Sequence, residues 1–284
     1  PADGGWTLTT SQGELETRQV VLATGACTEP YIPAWSGRDT FGPPMVHSSD
    51  YRNPAPYAGS RVLVVGSGNS ATEVAVDLAS SGKVTVEMAV RTPPSIVRRD
   101  IRGFPTQLFG IALRHAPAVG DPLGAALRRL TIPDLTPQGL PAPRAPFAQF
   151  RRTGTVPVLD HGFVSAIRDG TIRIRPGVSS LDGDDVVHSD GSRSRPDAVI
   201  AATGYRPALQ GLLGPLGLLD DRGLPTIGSR GVRTPLGAPG GVPAGIDTAR
   251  GLYTVGIAIA LSGLLREIGV DVKRLVRSIA HPTH

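Results

Sequence analysis

Arg61-Val62-Leu63-Val64-Val65-Gly66-Ser67-Gly68-Asn69-Ser70-Ala71 is the stretch that decides the fold. Its first five residues form a short β-branched run with no polar break, the composition of a strand buried on both faces of a parallel sheet. The run ends in a glycine-rich turn. Beyond it Ala71, Val74, Ala75, Leu78 and Ala79 recur at helical spacing, and Gly82 marks the stop. A second β-rich run follows from Val84 to Val90. Strand, glycine turn, helix and strand in this order make the first βαβ unit of a dinucleotide-binding fold.

A lone G-x-G-x-x-[GA] carries little weight, because glycine turns also arise from simple geometric need. Here the turn has its strand before it and its helix after it, so Gly66, Ser67, Gly68, Asn69 and Ser70 are read as a pyrophosphate cradle at a helix N-terminus. The end of the second strand selects the nicotinamide. An acid there would bond the ribose 2′-hydroxyl, whereas an arginine would accept a 2′-phosphate. That end reads Val90-Arg91-Thr92-Pro93, so Arg91 predicts NADPH. Glu87 lies four residues short of Arg91 and is read as a buried-edge or solvated carboxylate. Arg98 and Arg99 are read as a solvated loop rather than as further phosphate clamps.

Outward from this unit the signal weakens. Residues 103–152 are rich in Pro and Gly, with amphipathic stretches at Leu108 to Arg114 and Leu123 to Leu130, and are expected to form a loop-and-helix insertion. Thr171 to Arg175 alternates as a strand, Asp182-Gly183 and Asp190-Gly191 are turn signals, and Asp197 to Ala201 is a further strand running into Ala202-Thr203-Gly204-Tyr205. This last segment has a counterpart near the start. Ser11-Gln12-Gly13, a polar stretch and Val20-Val21-Leu22-Ala23-Thr24-Gly25 resemble Ser189-Asp190-Gly191, a polar stretch and Val199-Ile200-Ala201-Ala202-Thr203-Gly204. Each copy is a hairpin followed by a strand ending in Ala-Thr-Gly. The second closes a module opened by Gly66. At the same spacing the first would open before residue 1, so it is expected to show its ending and no beginning. Its Val20 to Leu22 strand is then expected to lack a parallel neighbour and to lie at a sheet edge. That predicts self-association or poor order in residues 1 to 50.

Composition sets the outer limits. The 284 residues carry 29 basic and 24 acidic side chains, a net charge of +5, but only Lys83 and Lys273 are lysines. The Arg pairs 98-99, 128-129 and 151-152 are scattered among acids and prolines, which disfavours a nucleic-acid surface. Cys27 stands alone, which excludes an intramolecular disulfide and a Cys-based zinc site and suggests a reducing, cytoplasmic setting. The apolar run Gly256 to Leu265 is too short to span a bilayer, and no basic-then-apolar leader opens the chain. There is no G-x-S-x-G, no H-E-x-x-H and no pair of carboxylates on a helix face, which removes the common hydrolase classes and leaves cofactor chemistry. No catalytic residue and no metal ligand is assigned.

Taken together, Ala-Thr-Gly at 23–25, the stretch Phe41 to Tyr51, the turn at 66–71, Arg91-Thr92-Pro93-Pro94, Ala202-Thr203-Gly204-Tyr205 and Gly251-Leu252-Tyr253-Thr254-Val255-Gly256 resemble the class B flavin-containing monooxygenases. The likeness is to bacterial flavoprotein members near the plant indole-pyruvate monooxygenases and, more distantly, to the Baeyer-Villiger enzymes. Phe41, His47 and Tyr51 fit the family signature F-x-G-x-x-x-H-x-x-x-[FWY], while Pro43 stands where its glycine belongs. His47 is read as a positioning residue. The family's FAD fingerprint is absent.

The resemblance implies an α/β flavoprotein with two dinucleotide-binding domains. A complete Rossmann-like NADPH module, residues 56–206, is inserted into an N-terminally truncated FAD module made of residues 1–55 and 207–284. It implies hydride transfer from NADPH to FAD, O2 activation, and a small organic substrate, with no nucleic acid or membrane partner. Ala23, Thr24, Gly25, Thr203, Gly204, Gly256 and Ser262 would lie toward the cofactors. A helix over Ser262 to Ile268 would point its N-terminus at the flavin. Alternative readings are a non-catalytic NADPH-binding remnant, a fragment lacking a working FAD site, or a chain whose second copy or partner supplies the missing flavin segment.

Overall fold

The computed structural model describes residues 5–98, 100–101, 104–105, 117–143, 148–150, 155–219, 223, 225, 246–247, 251–257 and 263–280. They fall into two compact units, one drawn from Pro1–Glu29, Arg151–Gly154 and Tyr205–His284, the other from Pro30–Phe150 and Thr155–Gly204.

The second unit is built on a five-stranded sheet in the order Ile172–Pro176, Thr85–Val90, Arg61–Val65, Ala198–Ala201, Met45–His47. Every pairing in it is parallel. The unbroken apolar run at 61–65 has the meaning its composition predicts, since alternate side chains leave opposite faces. Val62 and Val64 pack with Val86, Met88 and Ile200 under Ala71, Val74, Ala75 and Leu78 of the helix Asn69–Ser80, and with Phe163 and Ile167 of the helix Phe163–Arg168. Leu63 and Val65 pack on the other face with Ala89, Val199, Leu181 and Val186. Each side chain buried this fully contributes about 1.5–3 kcal/mol. The lower cover is an antiparallel meander of Val178–Asp182, Asp185–His188 and Arg193–Ser194, turning at the two Asp-Gly signals.

In the first unit Trp6–Thr10 and Gly13–Thr17 form a hairpin closed at Thr10 and Gly13. Val20–Leu22 then pairs in parallel with Leu252–Thr254, which pairs antiparallel with Ile246–Asp247. This corrects the expectation that Val20 to Leu22 has no parallel neighbour. Its partner comes from more than 200 residues downstream, a distance at which periodicity carries no pairing information. Among the described residues the strand is terminal in its three-stranded sheet, the edge position expected for it. The last helix runs from Leu264 to Ala280, well past the sequence estimate at Ile268. The reason is an apolar stripe that continues through Leu275 and Ile279, which with Ile268 covers Tyr253 and Val255. In the insertion the described helix is Pro117–Thr131, whereas Leu108 to Arg114 lies outside the described residues.

Candidate functional site

Because all five strands of the sheet run parallel, their C-terminal ends share one edge, and Gly66, Arg91 and the Ala202-Thr203-Gly204 segment gather there. The two glycines of the turn have different jobs. Gly66 has φ 138°, and a Cβ on it would lie 2.3 Å from the Ala202 carbonyl oxygen, so it is there to let the turn pass the neighbouring strand. Gly68 has φ −83°, and nothing stands within 4 Å of where its Cβ would be. Gly68 is also the N-cap of the helix Asn69–Ser80, and no side chain caps that end. Thr72 N–H makes the first intrahelical bond, to Gly68 O at 3.1 Å, so the amides ahead of it have no acceptor within the helix and lie at the positive end of its dipole. An open glycine before uncapped amides is an arrangement in which a helix N-terminus can receive an anion.

The side chains of Ser67 and Asn69 are engaged within the protein. The Ser67 hydroxyl donates to Thr92 O at 2.8 Å. The Asn69 amide donates to Pro157 O at 3.4 Å and accepts from Leu159 N–H at 3.2 Å, as an adjacent strand would. Both side chains therefore hold the turn to the segments around it. Ser70 is exposed at the helix start. None of these tethers was legible in the sequence, because their partners lie 25 to 90 residues away.

Arg91 ends its strand exposed, and its guanidinium has no hydrogen bond or ion pair among the described residues. Glu87 is buried on the same strand, where its Oε1 accepts from Arg175 Nη2 at 2.6 Å and Nε at 3.2 Å. It is a buried carboxylate on an interior strand, neither solvated nor at the sheet edge, and it is engaged by a cation. Arg98 donates to Thr131 O at 3.1 Å, and Arg99 lies outside the described residues.

The Ala202-Thr203-Gly204 segment is fixed by backbone and side chain together. Thr203 Oγ1 donates to Tyr31 O. Gly204 O accepts Tyr31 N–H at 3.0 Å and His47 Nε2–H at 2.9 Å. Because Ser49 N–H donates to His47 Nδ1 at 3.1 Å, the ring proton sits on Nε2. Buried and tied at both nitrogens, His47 positions the strand Met45–His47 against Gly204. Tyr51 donates to Asp77 Oδ2 at 2.6 Å, and burial together with that carboxylate pushes its phenol above the ordinary tyrosine range, so it stays protonated. His188 is likewise bonded locally, to Pro176 O at 2.9 Å and Ser194 Oγ at 2.8 Å.

In the first unit Ala23 and Thr24 are exposed, and Gly25 has φ 80° with nothing within 4 Å of its Cβ position. Gly256, at φ 71°, is closed by Ile268, whose Cδ1 would lie 3.2 Å from an added Cβ. Ser262 lies outside the described residues. Among the described residues no cluster of His, Cys, Asp or Glu is arranged to hold a metal, and no helix is long and apolar enough to cross a membrane.

The pyridine nucleotide-disulphide oxidoreductase family matches residues 1–101. The probable indole-3-pyruvate monooxygenase YUCCA10 of Arabidopsis thaliana is 36% identical over 206 residues, 70% of this chain and 52% of the relative. The probable indole-3-pyruvate monooxygenase YUCCA3 of the same plant is 33% identical over 246 residues, 86% of this chain and 53% of the relative. The chain thus spans about half the length of these curated relatives. A flavin-containing monooxygenase from Stenotrophomonas maltophilia superposes with a TM-score of 0.62 at 20% identity, covering 97% of this chain and 68% of that one. The NADP+-bound cyclohexanone monooxygenase from Rhodococcus sp. Phi1 superposes with a TM-score of 0.62 at 16% identity, covering 98% and 64%. At these identities the structural likeness speaks for the fold.

Proposed function

We propose that this chain, a relative of the class B flavin-containing monooxygenases, binds NADPH at the 66–70 turn and serves as the nicotinamide-binding part of a flavoprotein monooxygenase acting on a small organic substrate. The observation that carries the reading is the open Cβ position at Gly68, directly before uncapped helix amides and on the same sheet edge as the unengaged Arg91. The amides of the first helical turn would take the pyrophosphate, and Arg91 the 2′-phosphate in a charge-assisted contact. Ser67 and Asn69 would keep the turn in shape, and His47 would keep Gly204 in place at the same edge.

A flavin, when bound, supplies the hydride acceptor and the O2 chemistry of such an enzyme. In this chain Gly25, with its open Cβ position, and the exposed Ala23 and Thr24 beside it are the residues that would face the flavin. The closed Gly256 would support the strand end behind them. The protein's own part is binding, orientation and exclusion of water.

The test is a pair of alanines. Gly68→Ala should abolish NADPH binding in an equilibrium titration and leave the ligand-free Tm nearly unchanged, whereas Gly66→Ala should lower Tm through its collision with Ala202. Normal NADPH binding by Gly68→Ala would reduce the turn to a purely structural feature and sink the proposal. Visible flavin absorbance in the purified protein tests the flavin half separately.

A further inference from the structure

Gly177 follows the strand Ile172–Pro176, and the register that pairs Pro176 with Val90 brings Gly177 opposite Arg91. A Cβ on Gly177 would lie 2.9 Å from Arg91 Cβ, 3.0 Å from its Cα and 3.3 Å from its Cγ. The positions of the first two atoms are set by the backbone, so no rotamer change of Arg91 relieves them. Neither chain segment can easily retreat. Gly177 O accepts Ser189 N–H at 2.8 Å, and Val90, next to Arg91, is buried in the sheet core. Gly177 is also absent from the residues with left-handed backbone, so its conformation does not call for glycine. Space does. Gly66, by contrast, combines a positive φ with a backbone collision.

We infer that Gly177 is a specificity-determining position: its missing side chain leaves the room in which Arg91 leaves its strand toward the 2′-phosphate of NADPH. This rests on the reading of Arg91 given above. Gly177 touches no ligand itself, so it is a positioning residue. A methyl group there would press on Arg91, to which the three nearest atoms all belong, and would reach the turn at 66–70 only through the Ser67–Thr92 hydrogen bond. The predicted consequence is selective loss of discrimination between two cofactors that differ only at the 2′-position.

The experiment measures Kd for NADPH and for NADH with the full chain as wild type, Arg91→Ala, Gly177→Ala and the double variant. Arg91→Ala should lower the preference for NADPH about 10- to 100-fold, the range expected for loss of a charged hydrogen-bonding partner. Gly177→Ala should lower it at least about 5-fold with NADH affinity nearly unchanged, and the double variant should fall no further than Arg91→Ala alone. Gly177→Ala with an intact preference, or with both affinities reduced in parallel, overturns the inference while leaving Arg91 in its role. A wild type without a preference for NADPH, or an Arg91→Ala that keeps it, overturns the Arg91 reading and this inference with it. If Gly177→Ala does not fold, as judged by its melting transition and by NADH binding, Arg91→Gly is placed beside it to remove the Cβ and Cγ that the methyl meets. Recovery of NADH binding supports a shared space, and no recovery overturns it.

Discussion

The two Ala-Thr-Gly segments begin from nearly the same residues and end in opposite surroundings. At 198–204 the strand lies between two parallel neighbours, Arg61–Val65 and Met45–His47, with Ile200 fully buried and Ala202 nearly so. At 20–25 the strand has, among the described residues, a parallel neighbour on one side only, Val21 is 44% exposed, and Ala23 and Thr24 are exposed. Thr203 gives its hydroxyl to Tyr31, whereas the Thr24 hydroxyl has no hydrogen bond among the described residues. A repeated motif therefore encodes a strand and a turn. What it does not encode is the depth at which they sit, which depends on how many neighbours the rest of the chain supplies.

This contrast can be broken by substituting equivalent positions. Ile200→Ala should cost about 2–5 kcal/mol, as a large-to-small change in a closed core does, and Val21→Ala less than about 1 kcal/mol. Equal losses in urea titrations of the two variants would show that the first strand is covered as deeply as the second. His47→Ala should cost roughly 2–3 kcal/mol, since it opens a cavity and leaves Ser49 N–H without its acceptor. Thermal melts check it, and an unchanged Tm would remove His47 from its positioning role. The smallest effect is expected at the threonines. Thr203→Ala should lose about 1–2 kcal/mol and Thr24→Ala no more than about 0.5 kcal/mol, so indistinguishable chemical denaturation midpoints would erase the difference between the copies.

What was legible in the sequence follows from the same physics. The strand Arg61–Val65, the helix Asn69–Ser80 and the hairpins turning at Ser11-Gln12, Asp182-Gly183 and Asp190-Gly191 all announce themselves through local pattern. Met45–His47 did not, because three residues inside a polar stretch give no periodicity, and only its pairing with Ala198–Ala201 makes it a strand. The pairing of Val20–Leu22 with Leu252–Thr254 was hidden for the same reason. At the candidate site the glycines could be read, since their spacing between a strand and a helix is a local pattern, although the neighbour that Gly66 must clear, Ala202, is distant in sequence. The roles of Ser67 and Asn69 as tethers and of Gly177 as a space-maker depend on distant partners, and only coordinates reveal them.

The order of strands in the parallel sheet also bears on how the chain reaches its native state. Ala198–Ala201 fits between Arg61–Val65 and Met45–His47, although it is made roughly 130 to 150 residues after them. During synthesis the earlier strands must wait with an open seam, exposing Val62 to Val65 and their unpaired amides until residue 201 has left the ribosome. Closing so large a loop costs chain entropy before any pairing repays it, so folding should be slow and set by this one late strand. In a cell making the protein quickly, yield would then depend less on final stability than on how well chaperones shield that seam while it stands open.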